Sequence, residues 1–268
     1  MSIAAVLAVI WGLKRTAEDG WAWLPAASVL AGLALGWLFA ARQRRLAEPL
    51  VDLQLFHHAG FTGALVSYML GCVALFGIYI FIAQYLQTVL GLSPLMAGLA
   101  TVPWALGFVG GALVVPALTR RFERVAVVTG GQVVAVAGFL VMTQVSGEHA
   151  LAVLIAGSTL AAVGMAPVFT LANDLMIGAA PPERAGSAAA ISETSSELGG
   201  ALGIALLGSL VTAVYGSLTS PEAVARGLVL TSAISAALIA CTLVVAARLL
   251  GVRYDLLRPR KGKPCNTC

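Results

Sequence analysis

The run FTGALVSYMLGCVALFGIYIFIAQYLQ, residues 61–87, contains no Asp, Glu, Lys or Arg. A bilayer core of about 30 Å needs about 20 helical residues at 1.5 Å each. The run exceeds that length, so it reads as a membrane-spanning helix. Six further runs meet the same criterion: 22–40, 94–118, 125–145, 150–176, 187–215 and 227–249. Short polar breaks part them: the arginine-bearing stretch 41–60, GLSP at 91–94, TRRFER at 119–124, SGEH at 146–149, APPER at 180–184 and SPE at 220–222. An eighth apolar run, 2–13, is too short to cross. It stops at Lys14 and Arg15 and reads as the last half of a helix.

Composition agrees with the spans. Hydrophobic residues make up 59% of the 268 and charged residues 10%, where a soluble domain carries about 25% charged. Mean hydropathy is +0.94. Too few polar side chains are available to cover a water-soluble surface. Disorder, collagen-like structure and nucleic-acid binding fall with the same numbers, since each needs charge, low hydrophobicity or a strict glycine period. Continuous apolar runs, rather than strand-like alternation, predict helices, the segments that satisfy their own backbone in lipid. The fold class is therefore all-α, a polytopic membrane helix bundle.

The net charge of +4 is a matter of position rather than sum. With the 41–60 stretch in the cytoplasm, Lys14, Arg15 and Arg226 lie outside and the other 13 of the 16 Lys and Arg lie inside. The positive-inside rule then puts a multi-pass protein in the cell membrane with a cytoplasmic C-terminus. Trp21, Trp23 and Trp37 flank the 22–40 span as interfacial anchors would. Gly32 and Gly36, and Gly199 and Gly203, stand at the spacing of close helix packing. Run 2–13 has no basic lead or cleavage site of a signal peptide. Cys72 and Cys241 sit in apolar runs as small buried side chains. Cys265 and Cys268 form a C-x-x-C without partner ligands, so no metal and no cofactor is expected.

Charge inside a span marks function, because it costs several kcal/mol unless paired or hydrated. Of the acidic residues, Asp174, Glu193 and Glu197 fall within spans, and the two spans that hold them, 150–176 and 187–215, contain no basic residue. Glu193 and Glu197 are four apart and share a helix face. Glu197, the deeper of the two, reads as facing a water-filled cavity, where it exchanges protons or attracts a cation. Glu193 reads either as its helper or as a solvated carboxylate favoured at a helix N-terminus. Asp174 and the preceding Asn173 suit capping or inter-helix hydrogen bonding. Tyr68, Cys72, Phe76 and Tyr79, followed by Gln84 and Gln87, lie along one helix at spacings that could line a path for a flat cation. Helix packing and interfacial anchoring explain the same residues. Trp104 follows Pro103 inside a span; Pro103, Pro116 and Pro167 each mark a position for a kink. No catalytic residues emerge. H-E-x-x-H, G-x-S-x-G and Walker A motifs are all missing.

The stretches PLVDLQLF (49–56), QYLQTVLGLSPLMAGL (84–99) with Pro103, and PERAG (182–186) followed by 193–208 resemble the 14-helix drug:proton antiporters of the major facilitator superfamily. They agree with that family in order and spacing. The resemblance implies that 61–249 are the C-terminal six-helix domain and that 1–60 is a remnant of the two inter-domain helices with a cytoplasmic loop. Residues 250–268 would be a basic cytoplasmic tail. It implies further that the N-terminal six helices, with their glycine-proline motif and acidic residues, have no counterpart here. The loop holding Arg120, Arg121 and Arg124 resembles the family's basic latch without its aspartate.

Two functions follow from the resemblance. One is proton-coupled export of amphipathic, often cationic, drugs or metabolites, with Glu197 and Glu193 as this half's contribution. The alternative is a transport-inactive fragment, or a half that needs a second chain. The implied partners are a small-molecule substrate, protons, the lipid bilayer, and an N-terminal half or a second copy.

Overall fold

The computed structural model describes residues 2–19, 23–43, 59–178, 185–215 and 220–257. The expectations placed on Trp21, residues 49–56, residues 182–184, Cys265, Cys268 and the tail beyond 257 lie outside the described residues. Among those described, eight α-helices form: α1 (Ser2–Asp19), α2 (Trp23–Gln43), α3 (Ala59–Gln84), α4 (Pro94–Arg121), α5 (Arg124–Met142), α6 (Ala150–Gly178), α7 (Ala185–Tyr215) and α8 (Pro221–Leu257). Seven of them, α2 through α8, are long and apolar enough to cross a membrane.

The helix ends follow local chemistry more closely than hydropathy does. α3 runs into a π-turn, Tyr85–Val89, and the chain then reverses at Gly91, whose φ of 63° suits glycine. Ser93 starts α4 by accepting the Met96 N–H, with Pro94 at the first helical position. α8 begins at Pro221, six residues before the apolar run, because Ser220 accepts the Ala223 N–H. The half-helix expected at 2–13 extends to Asp19. Its polar end includes Lys, Arg, Ala and Glu, all good helix formers, so helicity outlasts apolarity. Helices α4 and α6 each continue through their prolines, Pro103 and Pro116 in one and Pro167 in the other.

α3 and α6 form the centre. α3 packs against α6, α7 and α8; α6 packs against α4, α5 and α7; α5 also meets α8. Correspondingly, 56% of the apolar window is buried in the α3 and α6 spans, against 6% in α4. Exchanging α3, α4 and α5 for α6, α7 and α8 maps the main helix contacts onto one another. Two three-helix units so related enter the membrane from opposite sides, an inverted repeat. α1 and α2 pair with each other, and α1 leans on α7.

Glycine sets how closely these helices approach. A Cβ on Gly138 would run into the Ala161 amide, one on Gly164 into the Ala135 amide, and one on Gly131 would stand 2.6 Å from the Gly164 carbonyl oxygen. Gly199 and Gly203 press in the same way on Met69, Cys72 and Val73 of α3. The second expected pair divides: Gly32 lies against Ala5 and Val9 of α1, whereas Gly36 has nothing within 4 Å. The reason is that the α1–α2 contact passes Gly32 and leaves Gly36 uncovered. Polar ties cross the seams as well. Ser235 donates to the Ala74 carbonyl at 3.1 Å, Ser28 to the Ala8 carbonyl at 2.8 Å, and Gln132 Nε2 to Thr242 Oγ1 at 3.0 Å. Phe81, Phe139, Met165 and Leu228 fill the core between them.

Substituting Leu for Gly138 or Gly164 is therefore expected to destabilise the bundle by about 1–3 kcal/mol through overpacking. Gly130→Leu, at a position with nothing within 4 Å, should stay within about 0.5 kcal/mol of the parent. Thermal unfolding of the detergent-solubilised chain distinguishes the two classes.

Candidate functional site

Glu193 and Glu197 project from α7 as exposed residues. Measured along the helix from Ala185, they stand about 12 Å and 18 Å in. Glu193 thus lies beyond the first turn, over which the helix dipole acts. Gly186, Ala189, Ala190, Thr194 and Ile204 share the exposed stripe, so the two carboxylates interrupt an otherwise apolar or weakly polar face. Gly199, two residues beyond Glu197, lies against Met69 and Cys72 of α3. That places the carboxylates beside the α3–α7 seam. The seam exists because Gly199 and Gly203 let the two backbones meet.

Below the carboxylates the seam is polar. Cys72, fully buried, donates its thiol to Ser196 Oγ at 3.6 Å. Ser192 donates to Asn173 Oδ1 of α6 at 2.8 Å. Asn173 therefore serves an inter-helix bond, while Asp174 is exposed near the end of α6.

A string of rings leads away from Tyr68. Its ring meets Phe169 of α6 edge-on with centroids 4.9 Å apart; Phe169 meets Phe108 of α4 at 5.8 Å. Phe108 stacks on Trp104 at 6.2 Å, and Trp104 tilts against Tyr79 at 5.5 Å. Every separation is within the favourable range for aromatic pairs. The string leaves α3 at Tyr68, crosses α6 and α4, and returns to α3 at Tyr79. At that end Tyr79 and Trp104 line a cleft of about 260 Å³, including the part open to solvent, together with Leu86, Thr101, Ile155 and Ser158.

The α3 residues expected to line one path separate in space. Tyr68 and Tyr79 belong to the string. Phe76, also exposed, instead packs beside Gly200 of α7, on the carboxylate side. Gln87 is exposed, and Gln84 Oε1 is buried with no hydrogen-bond partner among the described residues. Arg120, Arg121 and Arg124 are exposed around the α4–α5 turn. Phe108 and Phe169 escaped the sequence reading. Phe108 stands four residues after Trp104, a spacing that marks one helix face, whereas nothing local joins Phe169 to either. Among the described residues no group of three or more His, Cys, Asp or Glu side chains could hold a metal ion.

Among the described residues, the seven helices long and apolar enough to cross a membrane define a multi-pass membrane protein. The chain belongs to the Major Facilitator Superfamily, whose sequence profile matches residues 64–264. It is similar to the multidrug efflux pump LfrA of Mycolicibacterium smegmatis, 38% identical over 81% of this chain and 43% of the relative. It is similar also to the methyl viologen resistance protein SmvA of Salmonella typhimurium, 32% identical over 79% of this chain and 43% of that protein. The drug efflux pump JefA of Mycobacterium tuberculosis is 32% identical over 76% of this chain and 41% of its own length. The chain thus spans less than half the length of these relatives.

If the α7 stripe faces water, cysteines placed at Glu193, Thr194 or Glu197 will react with a charged thiol reagent in membranes. The background is the chain with its four native cysteines replaced. Val133→Cys, on the exposed side of α5, should react with a lipophilic reagent alone. Equal resistance of all four positions to the charged reagent would place the stripe against lipid.

Proposed function

We propose that this chain forms one wall of an exporter for amphipathic, often cationic, drugs or metabolites, driven by protons moving inward. The observation that carries the reading is the pair of exposed carboxylates about 12 Å and 18 Å along α7, a helix long and apolar enough to cross a membrane. Facing lipid, each would cost several kcal/mol; facing a hydrated pathway, each is a proton acceptor and a cation site. The aromatic string offers π faces at a distance from the charge. A planar organic cation suits that combination, with cation–π contact on Trp104 or the tyrosines and Coulomb attraction to Glu197. Methyl viologen, the compound in one relative's name, is a flat aromatic dication. Glu193 assists Glu197, and Phe76, beside Gly200 of their helix, borders the same path.

The opposite wall is a further six-helix half, with a second copy of this chain as the other candidate. α4 and the α7 stripe would meet it. Until covered, the chain would be transport-inactive, which is the second reading; the low burial of α4 favours it for the chain by itself. The distribution of Lys and Arg supports insertion in the cell membrane with the C-terminus in the cytoplasm.

Everted vesicles holding this chain, alone or with an N-terminal six-helix half of the family supplied in trans, test both readings. Accumulation of a fluorescent planar cation that an uncoupler releases is the expected result. Glu197→Gln should lower the initial rate about tenfold or more, equal to about 1.4 kcal/mol of barrier, at unchanged insertion. An unaltered rate removes Glu197 from the coupling step, and no uptake in either arrangement leaves the transport-inactive reading.

A further inference from the structure

We propose that the turn joining α4 to α5, with the apolar furrow beside it, is a binding site for an anionic phospholipid. The headgroup phosphate sits on the arginines of the turn and an acyl chain lies in the furrow. The proposal needs neither the exporter reading nor an assigned orientation, since a bilayer has a headgroup layer at both faces. Arg120, Arg121 and Arg124 are exposed, and among the described residues none of them makes an ion pair or a hydrogen bond. Three arginines against Glu123 leave the turn at +2. Consecutive Cα atoms are 3.8 Å apart, so all three arginine Cα atoms fall within about 15 Å of one another.

The fold does not require this charge. In the inverted repeat the α7–α8 turn is the counterpart of the α4–α5 turn, and beside it Glu222 and Arg226 pair with each other at 3.9 Å. Arg124 even stands at the first residue of α5, the end of a helix that disfavours a cation. The charge is therefore turned to something outside the bundle. The apolar run 94–118 stops two residues before Arg120, so the guanidinium groups emerge at the edge of the hydrocarbon. Phe122, 58% exposed between them, is an interfacial anchor on the same turn. Phosphates are the anions of that layer, and a guanidinium binds phosphate through paired N–H bonds.

Beside the turn, α4 and α5 each pack on α6 and scarcely on one another. Gly107 and Gly111 of α4 meet α6 at Thr159 and Ala166, whereas Gly131 and Gly138 of α5 meet it at Gly164 and Ala161. At 3.6 residues per turn, Leu160 and Val163 fall between those two faces of α6, and both are exposed. They are the floor of the furrow. On α4, Trp104 lies on the flank toward α3. The opposite flank carries Gly110, with nothing within 4 Å, and the exposed Val114. The furrow thus has apolar walls, a notch at Gly110 and cations at one end. From the level where Gly111 meets Ala166, Arg120 lies nine residues on along α4 and Val163 three residues back along α6. Together these span about 18 Å, against about 15 Å for one leaflet of the hydrocarbon core.

The test is native mass spectrometry of the full chain in detergent, titrated with phosphatidylglycerol or with phosphatidylcholine of the same acyl chains. Phosphatidylglycerol should bind as a single adduct, about tenfold or more tighter than phosphatidylcholine. Combining Arg120→Gln, Arg121→Gln and Arg124→Gln should remove that preference. Arg124→Gln alone should weaken it, which covers the case in which the triple variant does not fold. Gly110→Trp fills the notch at a position with space around it. It should weaken phosphatidylglycerol binding about threefold or more with every arginine in place. Equal binding of the two lipids overturns the proposal, as does a Gly110→Trp chain that binds like the parent. Displacement of the lipid by millimolar inorganic phosphate would mean a site for a free anion and overturns it too. A lipid-free dimer, or loss of the adduct when an N-terminal six-helix half is added, would assign this face to a protein neighbour and overturn it as well.

Discussion

Backbone meets backbone where α5 crosses α6, and the remaining helices take their places from that contact. In lipid, apolar surface gains nothing by leaving the solvent, so helices associate through close van der Waals packing and a few hydrogen bonds. Gly131 and Gly138 on one helix and Gly157 and Gly164 on the other remove the side chains that would hold the axes apart. The same device joins α4 to α6 at Gly107 and Gly111, and α3 to α7 at Gly77, Gly199 and Gly203. The candidate site is a consequence of these seams. The α4–α6 approach brings Phe108 to Phe169, and the α3–α7 approach brings Cys72 to Ser196.

Polar groups in the bundle sort into two kinds by burial. Gln132, Thr242 and Ser235 are buried and tie α5 to α8 and α8 to α3. They act as inter-helix fasteners on one side of the molecule. Glu193 and Glu197 are exposed on α7, and α4 has little buried surface. A carboxylate has no donor to satisfy it in hydrocarbon, so the α7 stripe is unsuited to lipid in a way that the buried α5–α8 contact is not. The string of rings from Tyr68 to Tyr79 threads α3, α6 and α4.

Much of the architecture was legible because the bilayer imposes a length and a polarity on each span. All seven expected spans correspond to helices, and their ends shift by up to eight residues, at two places for stated local reasons: the Ser220 cap and the π-turn after Gln84. Glu193 and Glu197 were legible as charge in an apolar run. The split among Tyr68, Phe76 and Tyr79 was not, since helical periodicity puts residues on a face without saying which neighbour covers it. Phe169 was invisible for the same reason, and Gly36 was assigned a packing role that its surroundings do not supply.

By itself, then, the sequence determined the class, the number of spans, the expected orientation and the rarity of charge within the spans. Each of these depends on a local property, hydropathy over about 20 residues or the position of a Lys or Arg, and local properties are written in order along the chain. Tertiary structure alone decided which helices stand at the centre, how the two three-helix units interlock, and which rings and hydroxyls come together. Those depend on contacts between residues far apart in the chain: Tyr68 with Phe169, Cys72 with Ser196, Ser192 with Asn173. Such contacts form only once glycine has let the backbones close.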